Sequence, residues 1–277
     1  MPKPSSAKIE QLRRTAAHLR RTALTMIHRA GGGHPGGSLS AADIIAALYF
    51  HEMNIRPHQP DWPQRDRFIM SKGHACPILY AALAQRGYFD PQHLDTLRRK
   101  GSILQGHPDM RKTPGIDATT GSLGQGLSVG LGMALMARLD RFAYRVFVLL
   151  GCGELDEGQV WEAAMCAHKY RTANLTAIID YNRLQLDGTN DQIMPLEPLR
   201  DKWLAFGWHV LDVDGHDIGR FLSAVADADS VRDRSSVIIA RTIKGKGVSF
   251  MENQLHWHGQ APTDQQLATA LQELTVQ

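Results

Sequence analysis

A glycine-flanked turn, Gly151-Cys152-Gly153-Glu154, directly follows an apolar run over 145–150, and Asn182 closes the next apolar run. Such a run is typical of a buried strand, and a glycine turn at the end of a strand presents backbone N–H groups to a phosphate. A small acid and an asparagine in these positions would hold a divalent metal on that phosphate. Cys152 stands where the acid is expected, and we predict that it converges with Asn182 on one ligand.

Four histidines lie in loops that contain glycine or proline: His34, His74, His107 and His258. The loops at the carboxyl ends of parallel strands are where ligands bind. A surface imidazole, or one bonded to the backbone, is the alternative for any single histidine. Zinc is a rival use, but these loops lack a close pair of the H-x-x-x-H kind. The set therefore favours a shared site that can exchange protons near neutral pH.

A third motif, Thr119-Thr-Gly-Ser-Leu-Gly-Gln-Gly126, places three glycines at the start of a predicted helix. Close approach of the backbone to a flat ligand would explain the glycines. Tight packing of a small-residue helix, using Gly126, Gly130 and Gly132, would explain them equally well. By itself the motif does not separate these two interpretations.

Composition sets the class of protein. The 277 residues are 43% hydrophobic and 21% charged with a formal net charge of +3, which is ordinary for a globular protein and gives no basic block for nucleic acid. No apolar stretch approaches the ~20 residues of a membrane span. The first residues lack the apolar core of an export signal. Three widely spaced cysteines suggest no disulfide framework, so we expect a cytoplasmic location.

The elements that must position these groups follow from hydrophobic periodicity. Strands are predicted over 67–70, 145–150, 175–180, 208–213 and 236–241. Helices are predicted over 6–29, 79–85, 123–139, 160–170, 196–206, 218–226 and 264–274, with a further helix over 41–51 capped by Ser40 and a long loop over 101–120. Alternating strands and helices indicate a mostly parallel sheet covered on both faces. We expect one domain over 1–277, with an N-terminal helix within 1–30 and a tail helix within 260–277.

Taken in order, the motifs resemble the N-terminal half of transketolase, roughly from Leu12 to Gly259. The motifs that carry the resemblance are Gly-His34-Pro-Gly, Ser-Lys-Gly-His74-Ala, Gly-His107-Pro, Thr-Gly121-Ser-Leu123-Gly-Gln-Gly, Gly151-x-Gly153-Glu-x-x-Glu157-Gly-x-x-Trp-Glu162-Ala, Asp180-x-Asn182-x-Leu184, Thr-Ile-Lys244-Gly-Lys-Gly and Trp-His258-Gly. The resemblance implies a three-layer α/β/α fold that binds the diphosphate of thiamine diphosphate. It also implies transfer of a two-carbon ketol unit from a ketose to an aldose.

The resemblance assigns roles residue by residue. Gly153 and His74 would contact the diphosphate, and Gly121 and Leu123 would contact the cofactor rings. Lys244 and Asn182 would also bind the cofactor. The substrate would meet three catalytic histidines, His34, His107 and His258. Glu157 is also assigned to the cofactor-binding residues. Together with Glu162, it would join a carboxylate network at a subunit interface. As acids at the start of a helix, both residues also fit a purely structural role.

Two departures from the family pattern shape the prediction. The chain lacks the pyrimidine-binding domain, whose glutamate activates the cofactor. We therefore expect one subunit of a split transketolase that works with a separate C-terminal subunit, as an α₂β₂ heterotetramer; a truncated chain is the alternative. The implied metal ligands are Cys152, Asn182 and the Leu184 carbonyl, for Mg²⁺ or, as alternatives, Mn²⁺ or Ca²⁺.

Cys152 replaces the aspartate of the family, and a thiol is a poor ligand for magnesium. Three outcomes are open: a weaker magnesium site, a site for a softer ion such as Mn²⁺ or Zn²⁺, or a catalytically impaired regulatory or assembly subunit. We favour a working enzyme because the other groups of this half are present. A half related to deoxyxylulose-phosphate synthase is a further alternative, which the Trp-His-Gly motif fits less well.

Overall fold

A computed structural model describes residues 4–275 of the chain. In this range, five strands form one sheet: β1 Arg67–Met70, β2 Val146–Gly151, β3 Leu175–Tyr181, β4 His209–Asp214 and β5 Ser236–Arg241. Their order is β1-β2-β3-β5-β4, and every neighbouring pair is parallel. Each strand therefore has its carboxyl end at the same edge of the sheet.

Helices supply the crossovers that parallel strands need. Within the described residues the α-helices are α1 Ser6–Ala30, α2 Pro35–Ser40, α3 Ala42–Ala47, α4 Cys76–Arg86, α5 Gln125–Leu139, α6 Gly158–Tyr170, α7 Asn190–Ile193, α8 Leu199–Ala205, α9 Ile218–Ser230 and α10 Asp264–Glu273. A π-helical turn spans Leu48–Glu52, and 3₁₀ turns span Gly73–Ala75, Pro91–Thr96, Gly153–Asp156 and Leu255–His258.

The sheet is buried on both faces because successive side chains of a strand point to opposite sides. Phe147 and Leu149 of β2 join a core formed with α1, α3, α4 and α9. Val146 and Val148 join a second core, formed with α5, α6 and α8. The predicted three-layer α/β/α fold with a parallel sheet is confirmed.

Local chemistry sets the helix boundaries. The Ser5 side chain caps α1 by accepting from Lys8 N, and α1 ends at Gly31 with φ of 64°. α5 begins at Gln125, two residues later than predicted, because Gly124 has φ of 80° and interrupts the helical backbone.

The prediction for Ser40 is wrong. A helix already begins at Pro35, whose fixed φ suits a first helical position, and α3 ends at Ala47 before the π-helical turn. The Ser40 hydroxyl contacts the carboxylate of Asp180 instead of capping a helix. The short helix α7 and the turn over 91–96 were not predicted, although α7 has a capping box made by Thr189 and Gln192.

Residues 101–120 contain neither a helix nor a strand, as predicted. None of the helices within residues 4–275 combines the length and the apolar character of a membrane span. The extreme ends of the predicted regions 1–30 and 260–277, residues 1–3 and 276–277, lie outside the described residues. A single domain over 1–277 stays a prediction.

Candidate active site

A cavity of about 250 Å³ lies at the carboxyl edge of the sheet, where the loops after β1, β2, β3 and β5 meet. Several residues singled out in the sequence line this cavity: His74, Leu123, Cys152, Gly153, Asn182, Leu184, Lys244 and His258. Sequence positions more than 180 residues apart therefore face one space, because parallel strands end at one edge.

Three of the four histidines form a cluster beside this cavity. The ring centroids of His34 and His74 lie 5.0 Å apart, and those of His258 and His74 lie 5.2 Å apart. Burial lowers the pKa of His34 to about 4 and that of His258 to about 3, and it lowers the pKa of His74 well below its usual value. All three are therefore uncharged at neutral pH, and each ring has one N–H donor and one acceptor nitrogen.

His107 and Gly121 lie together at the edge of the cluster. A Cβ placed on Gly121 would lie 3.5 Å from the His107 ring. The pKa of His107 is lowered by burial and then by the positive charge of Arg98, which also acts on His34. Arg98 is a site residue that no sequence motif marks, and its backbone has φ of 63°, an uncommon conformation outside glycine.

Lys244 is a buried cation in the cavity, with 2% of its surface exposed. Its Nζ donates to the Gln185 carbonyl at 2.8 Å and to Nδ1 of His258 at 2.8 Å. Because an ammonium can only donate, Nδ1 of His258 accepts and Nε2 carries the ring proton. No carboxylate of residues 4–275 lies within ion-pair distance of Lys244, and burial lowers its pKa to about 8. An uncompensated buried ammonium of this kind fits an anionic ligand.

A second buried cation, Lys72, has its charge balanced by Asp180. The Lys72 Nζ donates to the Asp180 carboxylate and, at 2.8 Å, to the Gly37 carbonyl. Asp180 is fully buried and also contacts Ser40, Asn182 and Thr242. Burial would raise the pKa of Asp180, but the Lys72 ammonium outweighs this and lowers it. The carboxylate thus joins the end of α2 to the segments that follow β1, β3 and β5.

The turn after β2 brings Cys152 to Asn182, whose strands are neighbours in the sheet. The Cys152 Sγ lies 3.7 Å from the Asn182 Oδ1, which also accepts from Leu184 N at 3.1 Å. Cys152 is 2% exposed, and burial raises the pKa of its thiol. Within the described part of the chain, no three His, Cys, Asp or Glu side chains are grouped so that they could hold a metal ion.

The two nearby glutamates have other positions. Glu154 lines the cavity, but its carboxylate accepts from Gly151 N and Gly124 N, each at 2.9 Å, and from Ser71. These hydrogen bonds hold the turn, so the Glu154 carboxylate does not replace the family's aspartate as a metal ligand. Glu157 lies outside the cavity lining, at the N-cap of α6 without a side-chain capping bond, and Glu162 is exposed on the same helix.

The family described as "Transketolase, thiamine diphosphate binding domain" matches residues 12–277. The chain belongs to the transketolase family. Similar transketolase proteins include the 6-deoxy-6-sulfo-D-fructose transketolase subunit SqwG of Clostridium sp. (strain MSTE9), 50% identical over 95% of this chain and 96% of that protein. One of the subunits of the apulose-4-phosphate transketolase of Phocaeicola vulgatus is 42% identical over 97% of this chain and 95% of that protein.

Longer transketolases are also similar, and this chain spans less than half of their length. Human transketolase is 42% identical over 98% of this chain and 43% of its own length. The structure of transketolase from Leishmania mexicana superposes with a TM-score of 0.91 and 30% identity, over 95% of this chain and 41% of that one. The predicted transketolase family and its N-terminal, thiamine diphosphate-binding half are confirmed.

Proposed function

We propose that this chain is the thiamine diphosphate-binding subunit of a transketolase, a transferase that moves a two-carbon ketol unit from a ketose to an aldose. The observation that carries the proposal is Lys244, a buried ammonium that faces the cavity without a carboxylate partner among residues 4–275. A diphosphate supplies the missing negative charge. The relatives of the same length, which are named as transketolase subunits, support the same function.

The chemical types of the cavity residues fit the cofactor. Gly153, which lines the cavity, would offer its backbone to the diphosphate. His74, Lys244 and Asn182 would contact the diphosphate, and Gly121 and Leu123 would contact the rings. When bound, thiamine diphosphate supplies the carbon nucleophile for ketol transfer.

The histidines would handle protons and bind substrate hydroxyls. His258 directs Nε2–H away from Lys244, so it is a hydrogen-bond donor toward the cavity. Nδ1 of His34 is buried without a hydrogen-bond partner among the described residues, so it is available to a substrate hydroxyl. His107 completes the proposed set. With pKa values lowered by burial, these imidazoles are uncharged near neutral pH and can donate and accept hydrogen bonds with substrate hydroxyls.

A divalent cation would accompany the diphosphate, and the family pattern favours Mg²⁺ with Mn²⁺ or Ca²⁺ as alternatives. The Asn182 amide oxygen and the Leu184 carbonyl suit such ions. The Cys152 thiol does not, so the donor set fits magnesium only in part. An impaired regulatory subunit is not favoured, and the grouping of His34, His74 and His258 with Lys244 supports a working site instead.

A separate C-terminal subunit would complete the site in an α₂β₂ assembly. Exposed apolar side chains are present on α5, at Val129 and Met136, and on α6, at Met165. Such side chains fit a contact with a protein partner. We also propose a cytoplasmic location, because Cys76, Cys152 and Cys166 are free thiols, which persist in a reducing compartment.

The donor is proposed to be an anionic ketose. The sulfonated and phosphorylated sugars in the names of two relatives are both anionic. In this chain the Arg98 charge acts on both His34 and His107, on the substrate side of the proposed site.

The test combines the chain with its partner subunit, thiamine diphosphate, a divalent cation, a ketose phosphate and an aldose. Ketol transfer is expected, and His258→Asn should lower kcat by ~10²-fold or more with cofactor affinity little changed. His256→Asn, an exposed neighbour in the same 3₁₀ turn, is the matched control. Absence of transfer from sulfonated and phosphorylated ketoses alike would refute the proposed activity.

A further inference from the structure

The donor atoms beside the proposed diphosphate site form a mixed sulfur and oxygen set. The Cys152 Sγ lies 3.7 Å from the Asn182 Oδ1, and both residues line the cavity together with Leu184. Magnesium requires oxygen ligands in near-octahedral geometry, whereas sulfur ligands suit zinc and other softer ions. Glu154, the nearest acid in sequence, is held by Gly151 N and Gly124 N and supplies no replacement.

A buried amide without a hydrogen-bond partner among the described residues lies at the start of α7, in the segment that follows Asn182. Asn190 is 1% exposed, and neither its Nδ2 nor its Oδ1 has a hydrogen-bond partner among the described residues. Burial has the largest effect on the Cys152 thiol and raises its pKa, whereas the Asn190 carboxamide lowers that pKa, as a donor to the sulfur would. Unpartnered buried amides are rare because each lost hydrogen bond costs free energy. A negatively charged sulfur would satisfy this donor, as metal-bound thiolates are satisfied in other sites.

We propose that the diphosphate site of this chain selects a thiophilic divalent cation, such as Zn²⁺ or Co²⁺, over Mg²⁺. Cys152, Asn182 and the Leu184 carbonyl are the protein ligands, and Asn190 donates to the sulfur. On binding, the S–H bond breaks, a sulfur–metal bond forms and the proton passes to solvent. This inference rests on the proposed function, since the diphosphate supplies the remaining oxygen ligands.

The experiment titrates thiamine diphosphate into the metal-stripped complex of the full chain and its partner subunit by calorimetry, with Co²⁺ or Mg²⁺ present. Co²⁺ binds most sites more tightly than Mg²⁺. The quantity compared is therefore the cofactor affinity with Co²⁺ divided by the cofactor affinity with Mg²⁺, in wild type and in Cys152→Asp. We expect this ratio to fall by ~10-fold or more in Cys152→Asp. The wild-type cobalt complex should also have a sulfur-to-cobalt charge-transfer absorption that is lost in Cys152→Ser.

Asn190→Ala tests the donor to the sulfur without changing a ligand. It should weaken cobalt binding in the wild-type background and leave magnesium binding to Cys152→Asp unchanged. An unaltered affinity ratio in Cys152→Asp, with no charge-transfer absorption in wild type, would overturn the ion selectivity. Failure of the cofactor to bind with either ion in both proteins would instead overturn the proposed function, and the selectivity with it.

Discussion

Nζ of Lys244 donates a hydrogen bond of 2.8 Å to Nδ1 of His258. The contact joins the charge that suits a diphosphate to the imidazole that would meet the substrate. It fixes the tautomer of His258. Burial lowers the pKa of that ring most, and the Lys244 ammonium lowers it further because a second positive charge beside it would be repelled. One lysine therefore serves both the cofactor side and the substrate side of the proposed site.

Replacing Lys244 with Met should weaken thiamine diphosphate binding by ~10- to 100-fold, the value of a charged hydrogen bond in a buried setting. Calorimetry on the chain combined with its partner measures this loss. Lys246→Met is the matched control, because Lys246 lies in the same loop and pairs with Glu252 at 3.4 Å. Equal affinities for the Lys244→Met variant and wild type would remove the main support for a diphosphate site.

Two glycines of α5 should respond to alanine in opposite directions. A Cβ on Gly130 would lie 2.5 Å from the Val148 side chain, so Gly130→Ala should destabilise the chain by about 1–3 kcal/mol. A Cβ on Gly132 would meet nothing within 4 Å, so Gly132→Ala should stabilise it by about 0.5–1 kcal/mol. Urea unfolding of both variants measures the difference, and equal effects would contradict the packing.

The Lys72–Asp180 pair should couple strongly in unfolding experiments. Asp180→Asn and Lys72→Met each leave one buried charge without its partner, which costs about 3–5 kcal/mol. The double variant should cost less than the two losses added together, by about 0.5–3 kcal/mol. Thermal or urea unfolding of the wild type and the three variants gives the four free energies of this double-mutant cycle. If the two single losses add up to the double loss, Lys72 and Asp180 do not interact.

Acid should destabilise the chain through its buried histidines. The folded-state pKa values of His34, His74 and His258 lie below the ordinary 6.5, so between pH 6.5 and about 4 the unfolded chain binds more protons than the folded one. The free energy of unfolding then falls as the pH falls through this window. His34→Asn should make the fall shallower, whereas His93→Asn, at an exposed position, should not. Unfolding series from pH 7 to pH 4.5 make the comparison, and identical slopes would contradict it.

The sheet could be predicted from sequence because its strands are apolar runs, and the five predicted strands differ from the observed ones by no more than one residue at either end. The site was predictable where glycine and histidine motifs mark it. Lys72 and Asp180 were not predictable as a pair, because 108 positions separate them and only the sheet brings them together. The prediction for Ser40 failed for the same reason, since a hydroxyl that contacts a distant carboxylate looks like a helix cap in sequence.

The cluster around Asp180 has a consequence for how the ligand is captured. The end of α2 and the segments after β1, β3 and β5 already share one carboxylate in the free chain, so little backbone has to be immobilised when the cavity fills. Cofactor binding should then change the backbone little. We expect a small loss of conformational entropy and nearly unchanged amide hydrogen exchange in these segments. These segments therefore lose most of their conformational entropy during folding, before the cofactor binds.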